Sequence, residues 1–137
     1  MKISFKVDGL PPKKDGANSM WRKGAEIPRL KALRTAAYQA MQGNAPLEIS
    51  LSLTVRIYAS PKDGDLDNFI TGICDGFMAA HPQTPIDVEQ WIDLPVGARP
   101  SNPIVFLDDS VVREIHAERF PADGNSVHYD VEIEWGE

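Results

Sequence analysis

Apolar residues recur with a regular period in six stretches of the chain, and each period predicts an element. Lys2 to Val7 alternates apolar with polar positions and reads as a strand. From about Pro28 to Gln42, residues Leu30, Leu33, Ala37, Tyr38 and Met41 recur at helical spacing and define one apolar face. Lys31 and Arg34 lie largely off that face. Pro28 suits a first helical turn and Gly43 the residue just past the end. Leu47 to Tyr58 is the cleanest strand. Leu47, Ile49, Leu51, Leu53, Val55 and Ile57 alternate with polar residues, so one face is expected to be buried and the other wet.

A second helix is predicted from about Asn68 to Ala80, with Phe69, Ile70, Ile73 and Phe77 inward and Asp67 or Asn68 as its cap. Gly72 and Gly76 inside it each cost up to ~1 kcal/mol relative to alanine, which points to close packing against another helix or strand. Two further strands follow, about Val111 to Arg119 and Val127 to Trp135. Between them and the second helix, residues 81–103 hold five of the eleven prolines and are expected to be irregular, apart from one short turn around Val88 to Ile92. No repeat, low-complexity tract or linker divides the chain. The order β-α-β-α-β-β predicts a single α+β domain, residues 1–137, with two main helices and a mixed sheet of four to five strands that includes antiparallel pairs.

Composition narrows the class. A hydrophobic fraction of 42% and a charged fraction of 25% suit an ordinary globule. The single cysteine, Cys74, excludes an intrachain disulfide and reads as a small core residue. No apolar run approaches the roughly 20 residues of a membrane span, and the N-terminus lacks a signal-peptide core, so a cytoplasmic protein is expected. His81, His116 and His128 have no zinc-ligand spacing with Cys74. The net charge of −6 argues against a nucleic-acid partner, but its distribution does not. Met1 to Arg34 holds nine Lys/Arg against three Asp/Glu, and the rest holds five against seventeen. A basic end could meet phosphates. Lys13, Lys14, Arg22 and Lys23, with Trp21, are its best DNA contacts, against the alternative of a solvated loop.

The candidate chemistry is acidic. Asp65 and Asp67, two apart in an extended segment, can face one point. Asp108-Asp109 lies between the apolar run Ile104 to Leu107 and the next strand. Carboxylates that converge need a cation, a proton or a basic partner. Mg²⁺ suits hard oxygen ligands and leaves sites for water and phosphate; with Asp109 completing the set, it would serve hydrolysis of a phosphodiester. Taken singly, each cluster is more often structural. Asp63-x-Asp65-x-Asp67 begins like an EF-hand loop but has Asn68 at position six and Cys74 at position twelve. Asp67 and Asn68 suit a helix cap, and Asp108-Asp109-Ser110 suits a tight turn.

The order Asp65-x-Asp67-Asn68, a helix carrying Asp75-Gly76, then Leu107-Asp108-Asp109 and Val111-Val112 resembles the RusA family of Holliday junction resolvases. Gly9-Leu10-Pro11-Pro12 with Asn18 and Trp21 resembles that family's opening. The resemblance implies a RusA-like fold and a homodimer that makes paired, metal-dependent nicks in branched DNA during recombination and repair. Asp65, Asp67 and Asp109 would be catalytic and hold Mg²⁺, with Mn²⁺ as a substitute. Asp108 and Asp75 would support the site, Asn68 would cap the helix, and Asn18 would join the DNA contacts. Two departures stand out. Thr71 occupies the place where the family commonly carries a lysine, for which Lys62 or a lysine of the N-terminal loop could substitute. Residues 81–103 form a Pro-rich insertion where the family has a short connection. Trp91 within it either stacks on an unpaired base or anchors the segment from the core. The departures leave open a catalytically weakened or inactive RusA-like module that binds DNA or protein without cutting.

Overall fold

The computed structural model describes residues 1–14, 19–122 and 126–136. Four strands, β1 (Lys2–Asp8), β2 (Leu51–Tyr58), β3 (Val112–Phe120) and β4 (His128–Trp135), form one sheet in the order β1-β4-β2-β3. Helix α1 (Ile27–Met41) links β1 to β2, and α2 (Leu66–Phe77) links β2 to β3. The fold is α+β with a four-stranded mixed sheet and two helices. β4 is antiparallel to both β1 and β2, whereas β2 and β3 are parallel. A parallel pair needs a long crossover, which α2 and the segment after it provide.

The alternation in the strands does what period-two patterning requires. Leu51, Leu53, Val55 and Ile57 of β2 and Tyr129, Val131, Ile133 and Trp135 of β4 are buried under the helices, where Phe77 of α2 meets Phe5 edge-on, ring centroids 6.4 Å apart. The opposite sheet face is wet, with Tyr58 stacked between Phe120 and His128.

Several boundaries differ from the pattern-based expectation. β2 begins only at Leu51. Leu47 makes an isolated bridge to Phe106, and Ile49 is 53% exposed, because the chain there follows Val105 and Phe106 rather than the sheet. α2 starts earlier, with Asp65 at its N-cap position, so Asp67 and Asn68 sit in the first turn and neither is the cap. The helix also stops at Phe77, whose carbonyl accepts from the backbone of both Ile104 and Val105. Tyr38 is 40% exposed and faces Gly97, where a Cβ would meet the ring unless Tyr38 shifted.

The largest correction concerns Arg34. It is 0% exposed, not solvent-facing. Nε donates to the carbonyl of Ala98 (2.9 Å), Nη1 to those of Gly76 and Met78 (2.8 Å each), and Nη2 to those of Arg99 (2.8 Å) and Asn102 (2.5 Å). All five N–H donors of the guanidinium are used. Burial pushes its pKa down to about 9, so it stays charged at neutral pH. Two of its acceptors belong to the C-terminal end of α2, the negative end of the helix dipole, and the Trp21 ring lies 5.1 Å from the guanidinium carbon.

This one side chain ties the irregular segment to the body of the protein. Residues 81–103 contain 3₁₀ turns at Val88–Trp91 and Val96–Ala98. Trp91 is buried against Trp21, centroids 5.7 Å apart, so it anchors the segment and is not exposed for stacking on a base.

The two helical glycines answer two different neighbours. A Cβ at Gly76 would meet the Leu33 side chain at 2.7 Å, where α1 crosses α2. At Gly72 it would meet the Pro12 carbonyl oxygen at 2.0 Å, so the N-terminal loop lies directly on α2. Because backbone yields less than a side chain, Gly72→Ala is expected to destabilise by about 3 kcal/mol, the upper end for overpacking, with Gly24→Ala near zero because nothing lies within 4 Å of its position. Arg34→Lys is expected to cost more than Gly72→Ala, since three donors cannot serve five carbonyls and each orphaned carbonyl costs about 1–3 kcal/mol. Urea unfolding midpoints check the ranking; a neutral Arg34→Lys would contradict the role given to this residue.

Candidate functional site

The acidic residues approach α2 from both of its ends. β2 delivers the chain through a 3₁₀ turn at Pro61–Asp63 that closes a capping box: Ser60 Oγ accepts from the Lys62 backbone, and Asp63 accepts from the Ser60 backbone at 3.0 Å. Asp63 is thereby a turn residue. Gly64 follows at φ +150°, with Phe69 and Lys13 pressed against it. Asp65 and Asp67 then stand exposed at the start of α2, where the helix dipole favours negative charge. The Thr71 hydroxyl donates to the Asp67 carbonyl oxygen (3.0 Å) one turn back, so it bonds its own helix.

Asp108 and Asp109 enter elsewhere. Asp108 accepts from the Ser110 backbone at 2.8 Å, a tight turn in which the Ser110 and Asp109 hydrogen bonds hold its carboxyl below the usual range. Asp109 is exposed and opens the 3₁₀ turn that leads into β3. Its charge is felt by Cys74 in the third turn of α2. Burial first, then Asp109 and Asp75, push that thiol up to about 12.

The three carboxylates named from the sequence therefore all border α2. β2 and β3 are parallel and in step from Leu51↔Val112 to Tyr58↔Phe120. Asp65 follows the C-terminal end of β2, and Asp109 precedes the N-terminal end of β3, so the two segments lie toward opposite ends of the sheet. Asp67 and Cys74 are seven residues apart, about 10 Å along the helix. Among the described residues, no three His, Cys, Asp or Glu side chains are placed to hold a metal ion. The described residues thus set Asp65 and Asp67 at the start of α2 and Asp109 toward its third turn. Parallel pairing of the two flanking strands is the reason. In kind, the donors still suit Mg²⁺: exposed carboxylates offering oxygen alone.

The N-terminal loop supplies cations along α2. Lys14 donates its backbone N–H to the Asn68 carbonyl (3.2 Å) and places Nζ 2.9 Å from Asp75. It is thus a lysine of the loop laid along α2 from Asn68 to Asp75. Lys13 donates its backbone N–H to Glu26 (2.8 Å), itself buried and paired with Arg29. Arg22 is exposed and Lys23 partly so. Trp21 is 7% exposed and belongs to the core beneath Arg34 rather than to a solvated basic loop. Asn18 lies outside the described residues. Pattern reading could not find the Lys14–Asp75 pair, which joins a loop to a helix sixty residues away.

If Asp109 faces α2 as described, Asp109→Asn is expected to lower the Cys74 pKa and raise its thiol reactivity several-fold, whereas Asp67→Asn leaves it unchanged. With the thiol near 12 rather than 9.0, native Cys74 is expected to react about a thousandfold more slowly than in urea. Reaction with a disulfide reagent at pH 8 measures both, and equal rates for the two variants would place Asp109 away from α2.

No protein-family model matches the chain, and no curated protein matches it.

Proposed function

We propose that the chain is a RusA-like, metal-dependent endonuclease that nicks branched DNA as a homodimer. The observation that carries this is the flanking of one helix by two exposed acidic segments: Asp65 and Asp67 at its start, and Asp109 near its third turn. In this reading the site is shared: Asp65 and Asp67 of one copy meet Asp109 of a second. β3 offers a surface for the second copy. It is an edge strand whose outer side is unpaired among the described residues and which exposes Ile115.

These three carboxylates would hold Mg²⁺ or Mn²⁺, which would lower the pKa of a bound water and stabilise charge on the phosphate. The protein's own contribution is positional. The start of α2 directs backbone N–H groups toward an anion. Lys14 and Arg22 face the phosphates, and Asp108 fixes the turn that carries Asp109.

A synthetic four-way junction with Mg²⁺ provides the test. Asp67→Asn and Asp109→Asn are each expected to lower nicking by about a hundredfold or more, as loss of a principal electrostatic group does. An equimolar mixture of the two variants is expected to recover activity, because mixed dimers hold one intact site. No recovery on mixing would reject the shared site; no nicking by the unaltered chain would reject the nuclease.

A second reading is binding without cutting. It is favoured by the hydroxyl of Thr71 where an ammonium would help. Junction affinity without nicking would select it.

A further inference from the structure

Where the N-terminal loop, the C-terminal end of α2 and the Pro-rich segment meet, they leave a cleft of about 740 Å³. We infer that this cleft receives a single unpaired nucleotide of the DNA, its base inside and its phosphate at Lys14. The inference deepens the DNA reading above and rests on it.

Position is the first support. Asp75 forms part of the wall, and so does Leu107, the residue immediately before Asp108-Asp109. A nucleotide seated there would hold the adjoining phosphate beside the Asp109 segment. Lys14 stands at the same cleft with its ammonium on Asp75, anchored through its backbone to Asn68 while its side chain stays exposed. A phosphate can draw that ammonium away from Asp75. The freed carboxylate then accepts from an exocyclic amine, the interaction acids make with cytosine N4.

Chemistry is the second support. The walls include Met20, Trp21, Met78 and Leu107, with Thr84 and Ser101 adding hydroxyls and His81 an imidazole. Leu107 is 60% exposed, an apolar cost the fold alone does not explain. Apolar walls with a few polar groups and one cation match a flat base bearing a phosphate. The volume lies within the range of small-ligand sites, about 300–1,000 Å³, and is too small for duplex. A paired base cannot reach such a cleft without leaving its stack, which favours bases that are already unpaired. Junction centres, bulges and single strands supply these.

The test uses a single-stranded oligonucleotide carrying one 2-aminopurine and the matching blunt duplex, both in EDTA so that nothing is cut. The unaltered chain is expected to brighten the 2-aminopurine as the base leaves its neighbours, and to prefer the single strand. Ser101→Trp, which fills the cleft from an exposed position, and Leu107→Asp, which charges its wall, are each expected to weaken single-strand binding about tenfold, the scale of one lost base contact. Duplex affinity serves as the internal reference. Undiminished single-strand binding by both variants would overturn the inference, as would brightening that persists in them. Junction nicking by a chain that shows no preference for unpaired bases would overturn it while leaving the nuclease intact. Cleft-dependent binding by a chain that never nicks would sustain it and remove the nuclease. Failure to bind any nucleic acid would remove both.

Discussion

A charged guanidinium with no carboxylate beside it among the described residues organises this protein. Arg34 is fully buried in the middle of α1, and its five N–H groups reach the carbonyls of Gly76, Met78, Ala98, Arg99 and Asn102. Taking such an ion out of water is expensive unless every donor is satisfied. Here backbone dipoles alone do it, two of them from the last turn of α2. The consequence is cooperative: α1, the end of α2 and the Pro-rich segment hold their relative positions through one group, and none of the three can move without orphaning the rest. Trp21 and Trp91 pack against the same point, so the Pro-rich insertion is a wall of the core.

That construction decides where the chemistry can sit. With its C-terminal end clamped by Arg34, α2 presents its remaining surface to the N-terminal loop, and Gly72 lets Pro12 lie on the helix backbone. Lys14 follows from this close approach, held against Asn68 and reaching Asp75. A basic loop on an otherwise acidic chain thus lays Lys14 along the helix that bears the acids. The net charge of −6 hides this, because the acids of β3 and β4 lie on the wet sheet face, away from the loop.

The acidic residues divide into two kinds once their surroundings are known. Asp63 and Asp108 close turns through their own backbone neighbours, Asp75 is paired with Lys14, and Asp65, Asp67 and Asp109 are exposed. The last three keep their carboxylates open to solvent, Asp67 while accepting the Asn68 backbone N–H at 3.0 Å. Their distribution toward the two ends of α2 is what the shared site of the nuclease proposal answers.

Much of the fold was legible in the sequence because periodicity reports which side of an element meets the core. The alternation in β2 and β4, the apolar stripe of α1 and the two helical glycines needed no partner to be recognised. Element ends were less legible, since Ile49 and the last turn expected of α2 are decided by Val105 and Ile104 arriving from fifty and thirty residues away. Arg34 was misread for the same reason: its sequence neighbours say exposed, and only carbonyls more than forty residues distant make burial tolerable. The candidate site divides likewise. Which residues are acidic, and that Asp65 and Asp67 stand together, is local information. Where Asp109 stands relative to them depends on whether β2 and β3 run parallel, a matter of hydrogen bonding between strands sixty residues apart. Side-chain type is written residue by residue, but distance between residues is a property of the packed sheet.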